Sequence, residues 1–340
     1  MKAALMENGR IWVDTVADPE PRSGEVLVKS TGCGICGSDL HAYRHTEEFV
    51  ATSREAGGAF RLTTMNPVVL GHEFCAEIVE YGPGTRRSLP IGSLVCAVPA
   101  LPRGKGFEPI GYSEDAPGGF AEYFLLNERL MDPVPSGLSW DLAALTEPVA
   151  VGLHAVNKAR LDREAVLVIG AGPVGLAVIA NLKQRGIGPV VVAELSPGRR
   201  ALAERLGADV VVDPALASPY AAREVSSAEE LVIFECVGVP GLIGQIFLDA
   251  PRNARIIVVG VCLQQDVSRP LIAINKELNV QYVLGYSVEE FSDALKRIAD
   301  GSLDVAAMIT HRIGLEDLPR AFDDLGSPES QGKVLVQPWS

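Results

Sequence analysis

Residues 166–180, VLVIGAGPVGLAVIA, decide the fold. The run carries no charge, but it falls short of the roughly 20 residues needed to cross a bilayer, and Gly and Pro interrupt its middle. It therefore reads as a buried strand turning into a packed helix. Working outward, VVVAE (190–194), the helical pattern RRALAERLG (199–207) and DVVVD (209–213) continue the alternation of strand and helix. LVIFECVG (231–238) and RIIVVGV (255–261) add two apolar runs that each end near Gly, as strands covered on both faces should. The middle of the chain is thus expected to be an α/β, doubly wound parallel sheet.

Gly170, Gly172 and Gly175 form G-x-G-x-x-G directly after the strand and open the helix at Pro173 and Val174. In that context the first Gly permits a tight turn, the second lets the backbone approach a pyrophosphate, and the third lets helix and sheet pack closely. The helix N-terminus then offers N–H donors and a positive dipole end to the phosphates. Glu194 ends the next strand, where an acid can accept hydrogen bonds from the adenosine ribose; this favours NAD over NADP. Arg199 and Arg200 stand close enough to temper that preference. The remaining candidate cofactor contacts are Arg199 itself, Val237, Gly260 and Val261. A structural Gly-rich turn, or an adenine site for a flavin or S-adenosylmethionine, is the competing reading.

The flanks have a different texture. EVLVKS (25–30), CAEIVEYGPG (75–84) and SLVCAV (93–98) are short alternating runs cut by turns, which suits a barrel-like β domain. After a helical stretch VEEFSDALKRIADG (288–301), the strand pattern GKVLVQP (332–338) needs a sheet to join, and the first part offers one. We expect a catalytic β domain from residues 1–148 and 286–340, with a Rossmann cofactor domain at 149–285 between them.

Composition narrows the class further. With 340 residues, 43 acidic against 30 basic side chains give a net charge of −13, and no Lys/Arg block offsets it, so nucleic acid and anionic membranes are excluded as partners. Hydrophobic residues at 47% suffice for packed cores. Six cysteines and a start, MKAALMENGR, without signal-peptide character lead us to expect reduced thiols and a cytoplasmic location.

The chemistry-bearing residues cluster in GCGICGSDLH (32–41) and GHEF (71–74). Cys33 and Cys36 alone could be half a structural zinc site or a redox pair, but the sequence has no second CxxC to complete a four-cysteine site. One thiolate with an imidazole and a carboxylate would leave a coordination position open, as catalytic zinc sites do. The candidate ligands are Cys36, His72, Glu73 and Glu147, the last an acid inside the apolar run LAALTEPVAVGL.

In order, GCGICGSDLH, GHE, EPVAVGLHA and VLVIGAGPVGL resemble the zinc-dependent medium-chain dehydrogenases, in particular the polyol, butanediol and threonine dehydrogenase branch. PGGFAEY (117–123) and GKVLV extend the resemblance over nearly the whole chain. It implies a GroES-like catalytic domain split around a Rossmann domain and one catalytic zinc per chain. It further implies an alcohol, polyol or ketone substrate and a homodimer or homotetramer. Cys36 and His72 match the first two zinc ligands. In that branch either Glu73 or Glu147 completes the set, so both stay in it. Ser38 and His41 match the proton-relay positions, and Asp39 is placed to orient His72. The zinc would stabilise the substrate alkoxide while the hydride passes to the nicotinamide.

Two departures matter. Residues 97–119 lack the cysteines of the structural zinc lobe that many relatives carry, so no structural zinc is expected. Cys36 and His72 are 36 residues apart, a longer gap than the family's usual one, with HTEEFVATSREAGGAFRLTTMNP filling the difference. An altered pocket should follow. Tyr43 is either a pocket residue or an ordinary packed aromatic; His45, His154 and His311 have no motif support, and Cys75 and Cys96 read as packed thiols. NVQYVLGY (279–286) is a candidate edge strand for subunit pairing. The alternatives in function are a zinc-free NADPH-dependent quinone or enone reductase of the same fold and a non-catalytic NAD-binding sensor.

Overall fold

The computed structural model describes residues 1–57, 60–326 and 331–340; Gly58 and Ala59, inside the long gap noted above, lie outside the described residues. The chain divides into two compact units, each mixing sheet and helix. One comprises Met1–Glu147 with residues 309–326 and Lys333–Ser340; the other comprises Pro148–Met308 with residues 331–332.

In the first unit the strand Glu25–Gly34 organises the main sheet. Glu73–Tyr81, Tyr123–Asn127 and Lys333–Gln337 all pair with it antiparallel. Leu94–Ala97 and Met131–Pro133 extend one side and Ile309–Gly314 the other. Leu335 opposes Gly34 and Val336 opposes Cys33, so the closing strand lies directly against the residues that lead into Cys36. A smaller sheet joins Lys2–Glu7 to Arg10–Thr15 and Val68–Val69, and Ala100–Arg103 with Gly106–Pro109 forms a hairpin. Val26, Val28, Ala76, Ile78, Phe124 and Leu126 are fully buried on these strands, following the period-two alternation that a sheet with one wet face requires.

In the second unit six parallel strands lie in the order Val210–Val212, Val190–Ala193, Ala165–Ile169, Leu231–Glu235, Arg255–Val258, Asn279–Tyr282. This is the doubly wound arrangement with its order reversing beside the first strand, at the place where nucleotides bind in such folds. Val166, Leu167, Val168, Val190, Val191, Val192, Val232 and Ile233 are wholly buried, each contributing about 1.5–3 kcal/mol of transfer free energy.

The unit extends further than residue 285, the boundary expected from sequence. The helix Val288–Ala299 belongs to it: Ser287 and Glu290 form a capping box, and Glu290 also holds His154 at 2.7 Å and Asn157 on the helix Thr146–Ala159. Phe291, Ala294, Leu295 and Ile298 supply the buried face. The crossover back to the first unit therefore follows Met308. Among the described residues, no helix is long and apolar enough to cross a membrane.

Candidate active site

The strand Glu25–Gly34 delivers the chain to Cys36, which caps the helix Gly37–Arg44. Asp39 closes a capping box there, its Oδ2 accepting the Cys36 backbone N–H at 2.9 Å, which fixes the thiol at the helix N-terminus. His72 and Glu73 enter from the start of the strand Glu73–Tyr81. Donor atoms of Cys36, His72 and Glu73 all lie within 4.8 Å of one another. A tetrahedral zinc with bonds of about 2.0–2.3 Å spaces its donors roughly 3.5 Å apart, so small side-chain rotations would close the trio on such an ion.

Two observations support a cation at this place. Thiol, imidazole and carboxylate together are a zinc donor set that leaves a position for substrate. In addition, the buried His72 turns Nδ1 towards Asp39 Oδ1, 3.3 Å away, the arrangement that leaves Nε2 for a metal. Burial alone would lower the His72 pKa, but the charges of Asp39 and Cys36 outweigh it and hold the imidazole well above its ordinary value. Metal uptake among these groups must therefore release a proton.

Glu147, the other glutamate of the expected ligand set, is not among the three residues whose donor atoms meet within 4.8 Å. It is half-buried at the first turn of the helix Thr146–Ala159, and its charge is felt at Lys333. Two residues that the sequence reading passed over complete the site. Lys333 is fully buried and donates from Nζ to both Glu73 oxygens, at 2.7 and 2.6 Å, and to the Ile35 carbonyl at 3.0 Å. Burial pulls its pKa down, yet Glu73, Cys36 and Glu147 together raise it, so the ammonium stays charged. Gly34 makes room for the pair, since a Cβ there would sit 2.2 Å from Glu73 Oε2.

Tyr112 is the second. Its hydroxyl lies 2.8 Å from Ser38 Oγ and 3.1 Å from Asp39 Oδ1. Burial, then the charges of Asp39 and Cys36, push the phenol well above its ordinary pKa, which keeps it protonated. Ser38 and His41 are three residues apart on the helix Gly37–Arg44, hence on one face, and both are half-buried.

The other cysteines and histidines are ordinary. Cys33 is fully buried, its thiol raised chiefly by burial, so the CxxC is split between a core thiol and the cluster. Cys75 and Cys96 are buried in the sheet. Tyr43 packs edge-on against Phe322 with its hydroxyl 3.1 Å from Asp323, which makes it a packed aromatic. His45 meets Glu48, His154 meets Glu290, and His311 meets its neighbour Thr310. The only candidate metal group among the described residues is the Cys36 trio.

In the second unit Gly170 takes φ +93° and Gly172 caps the helix Pro173–Gln184, with Pro173 at its first position. A Cβ on Gly175 would lie 2.0 Å from the Gly170 carbonyl oxygen, and one on Gly170 would lie 2.6 Å from Val237 Cγ2. The turn is thus closed by missing atoms. Glu194 Oε2 accepts the Ala171 N–H at 2.7 Å and Oε1 the Ser196 N–H at 2.8 Å, so the acid is held against the glycine loop. Arg199 approaches the same loop, its guanidinium 3.8 Å from where a Gly172 Cβ would be. Val237, Gly260 and Val261 follow the carboxyl ends of Leu231–Glu235 and Arg255–Val258, where buried Glu235 accepts the Val237 and Gly238 N–H groups at 2.7 and 2.8 Å.

A GroES-like β unit holding a thiol–imidazole–carboxylate trio, in one chain with a glycine-fingerprint Rossmann unit, is the build of a zinc-type alcohol dehydrogenase. Two family models match: the alcohol dehydrogenase GroES-like domain over residues 22–136 and the zinc-binding dehydrogenase over residues 173–300. The chain is 34% identical to (R,R)-butanediol dehydrogenase of Bacillus subtilis (strain 168), covering 99% of this chain and 100% of that protein. It is 27% identical to sorbitol dehydrogenase of the same organism over 99% of this chain and 97% of the relative. A Sinorhizobium meliloti 1021 protein assigned to the zinc-binding dehydrogenases and bound to NADP superposes with a TM-score of 0.83 at 28% identity, covering 99% of each chain. The chain belongs to the zinc-type alcohol dehydrogenase superfamily of medium-chain dehydrogenases, as an NAD(P)-dependent alcohol dehydrogenase acting on small-molecule alcohols or ketones.

Proposed function

We propose that this enzyme interconverts a secondary alcohol or polyol with its ketone, using NAD and one zinc ion held by Cys36, His72 and a glutamate. The observation that carries the reading is the Cys36, His72 and Glu73 trio, beside a helix that bears Ser38. Bound zinc would supply Lewis-acid polarisation of the substrate oxygen, and NAD the hydride acceptor. The protein's own groups do the rest. The Cys36 thiolate and one carboxylate offset a divalent charge, with Glu73 as the ligand and Glu147 in reserve. Asp39 holds the Cys36 backbone and faces His72. Ser38 takes the substrate hydroxyl proton and passes it along the helix face to His41.

Cofactor choice rests on Glu194. A 2′-phosphate would approach its carboxylate, and the nearby arginines are already committed: Arg200 to Asp213 at 3.0 Å and Arg199 Nε to the Gln331 carbonyl at 2.9 Å. Subunit pairing is assigned to the sheet edge at Asn279–Tyr282, where Tyr282 and Leu284 are 71% and 86% exposed, giving a homodimer or homotetramer. We place the enzyme in the cytoplasm, a reducing compartment that would keep its six cysteines as free thiols.

Metal analysis with a panel of diols, sugar alcohols and amino alcohols, assayed with NAD and NADP, tests the reading. We expect zinc near one per chain, oxidation of secondary alcohols, and a kcat/KM at least about tenfold higher with NAD, or about 1.4 kcal/mol. Tight NAD binding without zinc or turnover overturns it.

A further inference from the structure

The two segments that depart from the family pattern meet in this structure. The helix Thr46–Glu55, inside the long gap between Cys36 and His72, presents Phe49; the return of that segment brings Phe60; both rings close on Tyr112, in the stretch that has no zinc-binding cysteines. Tyr112 stacks on Phe49 at 5.7 Å between centroids, meets Phe60 edge-on at 4.8 Å, and lies 5.2 Å from the His72 ring. The Arg61 N–H donates to the Tyr112 carbonyl at 2.9 Å, and the Arg61 guanidinium pairs with Glu108 at 2.7 Å. Gly111, at φ +86°, runs so close to Gly71 that a Cβ would sit 3.1 Å from its backbone N and O. Tyr112 is thereby pinned beside His72, only 4% exposed.

Its hydroxyl faces two oxygens and has one proton to give. Asp39, as a carboxylate, can only accept, and its Oδ1 lies 3.1 Å from the phenol oxygen. The phenol proton therefore belongs to Asp39. In the 2.8 Å contact with Ser38 Oγ, the serine must then be the donor. That leaves the Ser38 lone pairs as the acceptor for any further hydroxyl. We propose that Tyr112 is a positioning residue for the alcohol oxidation: by taking the Ser38 hydroxyl proton in a hydrogen bond, it turns Ser38 Oγ into an acceptor for the substrate hydroxyl. The inference rests on the reaction proposed above. As the substrate proton arrives at Ser38 Oγ the serine gives up its own proton towards His41, and the hydroxyl turns back to Tyr112 with the proton it received, so Ser38 never carries two protons and ends each cycle as it began. The lengthened segment and the stretch 97–119 thus have a joint purpose, which is to hold this phenol in place.

Tyr112→Phe keeps the ring in its aromatic stack and removes only the hydroxyl. We expect kcat with a secondary alcohol to fall about 10- to 100-fold, with zinc content and NAD affinity unchanged and the thermal midpoint lowered only slightly, as loss of one buried hydrogen-bond donor requires. The solvent deuterium isotope effect on kcat should rise as proton removal becomes slower. Binding of a tertiary alcohol, which lacks a transferable hydride, should weaken in parallel. In a Ser38→Ala background the same substitution should change turnover less than about twofold, because its effect runs through Ser38. An unchanged kcat, an equal loss in both backgrounds, or loss of zinc alongside turnover would make Tyr112 a packing residue and overturn the assignment. A wild-type enzyme without zinc and inactive on every alcohol would sink the functional reading together with this one; an active wild type with an indifferent Tyr112→Phe sinks this one alone.

Discussion

The glycine turn at residues 170–175 and the cluster around Cys36 are built on opposite principles. The turn works through what is absent: three missing Cβ atoms let a helix N-terminus come within reach of a phosphate, and the donors are backbone N–H groups. The cluster works through what is added, since Cys36, Asp39, His72, Glu73, Tyr112 and Lys333 each place a polar atom where little water can reach it. A backbone-built site fails by addition and a side-chain-built site by subtraction. The first tolerates changes to its neighbours as long as space is kept. The second is a network in which each group satisfies another, so single deletions leave buried polar atoms uncompensated.

The sharpest way to break the contrast is His72→Ala. It should lower turnover about a thousandfold or more, since metal polarisation is worth several kcal/mol, and reduce zinc content, while NAD affinity measured by calorimetry stays within about twofold. Matched losses of zinc and of NAD binding would mean that the two sites are not separately built. Next in size is Lys333→Met, which in the protein stripped of zinc strands the Glu73 carboxylate in the core; removing one partner of a buried pair costs about 3–5 kcal/mol, readable as a lowered denaturation midpoint of the zinc-free form. A midpoint like that of the wild type would show that another group neutralises Glu73. The smallest is Gly175→Ala. Its Cβ must push the Gly170 carbonyl aside, at about 1–3 kcal/mol of overpacking, and NAD binding should weaken accordingly while zinc content holds. Wild-type affinity for NAD in that variant would disprove the close approach.

Much of this was legible in the chain because it is local. The fingerprint and the acid at the end of the next strand are set by short-range spacing, and backbone geometry turns such spacing directly into structure. Cys36, His72 and Glu73 were readable by residue type. Lys333 and Tyr112 were not, for physical reasons. A lysine opening the apolar strand GKVLV gave one hint, because a fully buried ammonium needs a partner, but nothing in sequence says that the partner lies 260 residues earlier. Tyr112 gave none, since its role depends on the packing of two segments whose own patterns are weak. The boundary expected at 286 missed for a related reason: the His154–Glu290 contact that ties the helix Val288–Ala299 to the cofactor unit joins residues 136 apart.

The Lys333–Glu73 pair also sets an order of events during synthesis. Between these residues the ribosome must make the whole cofactor unit, and at about 5–20 residues per second that takes on the order of 10 to 50 s. Throughout that interval Glu73 has no lysine to meet, and the strand Glu25–Gly34 has no Lys333–Gln337 beside it. The inner unit, made of consecutive residues and local crossovers, can finish folding first. The split unit, although its synthesis starts earlier, must be the later to close, so the Cys36 cluster gains its buried counter-ion only after the nucleotide fold is already in place.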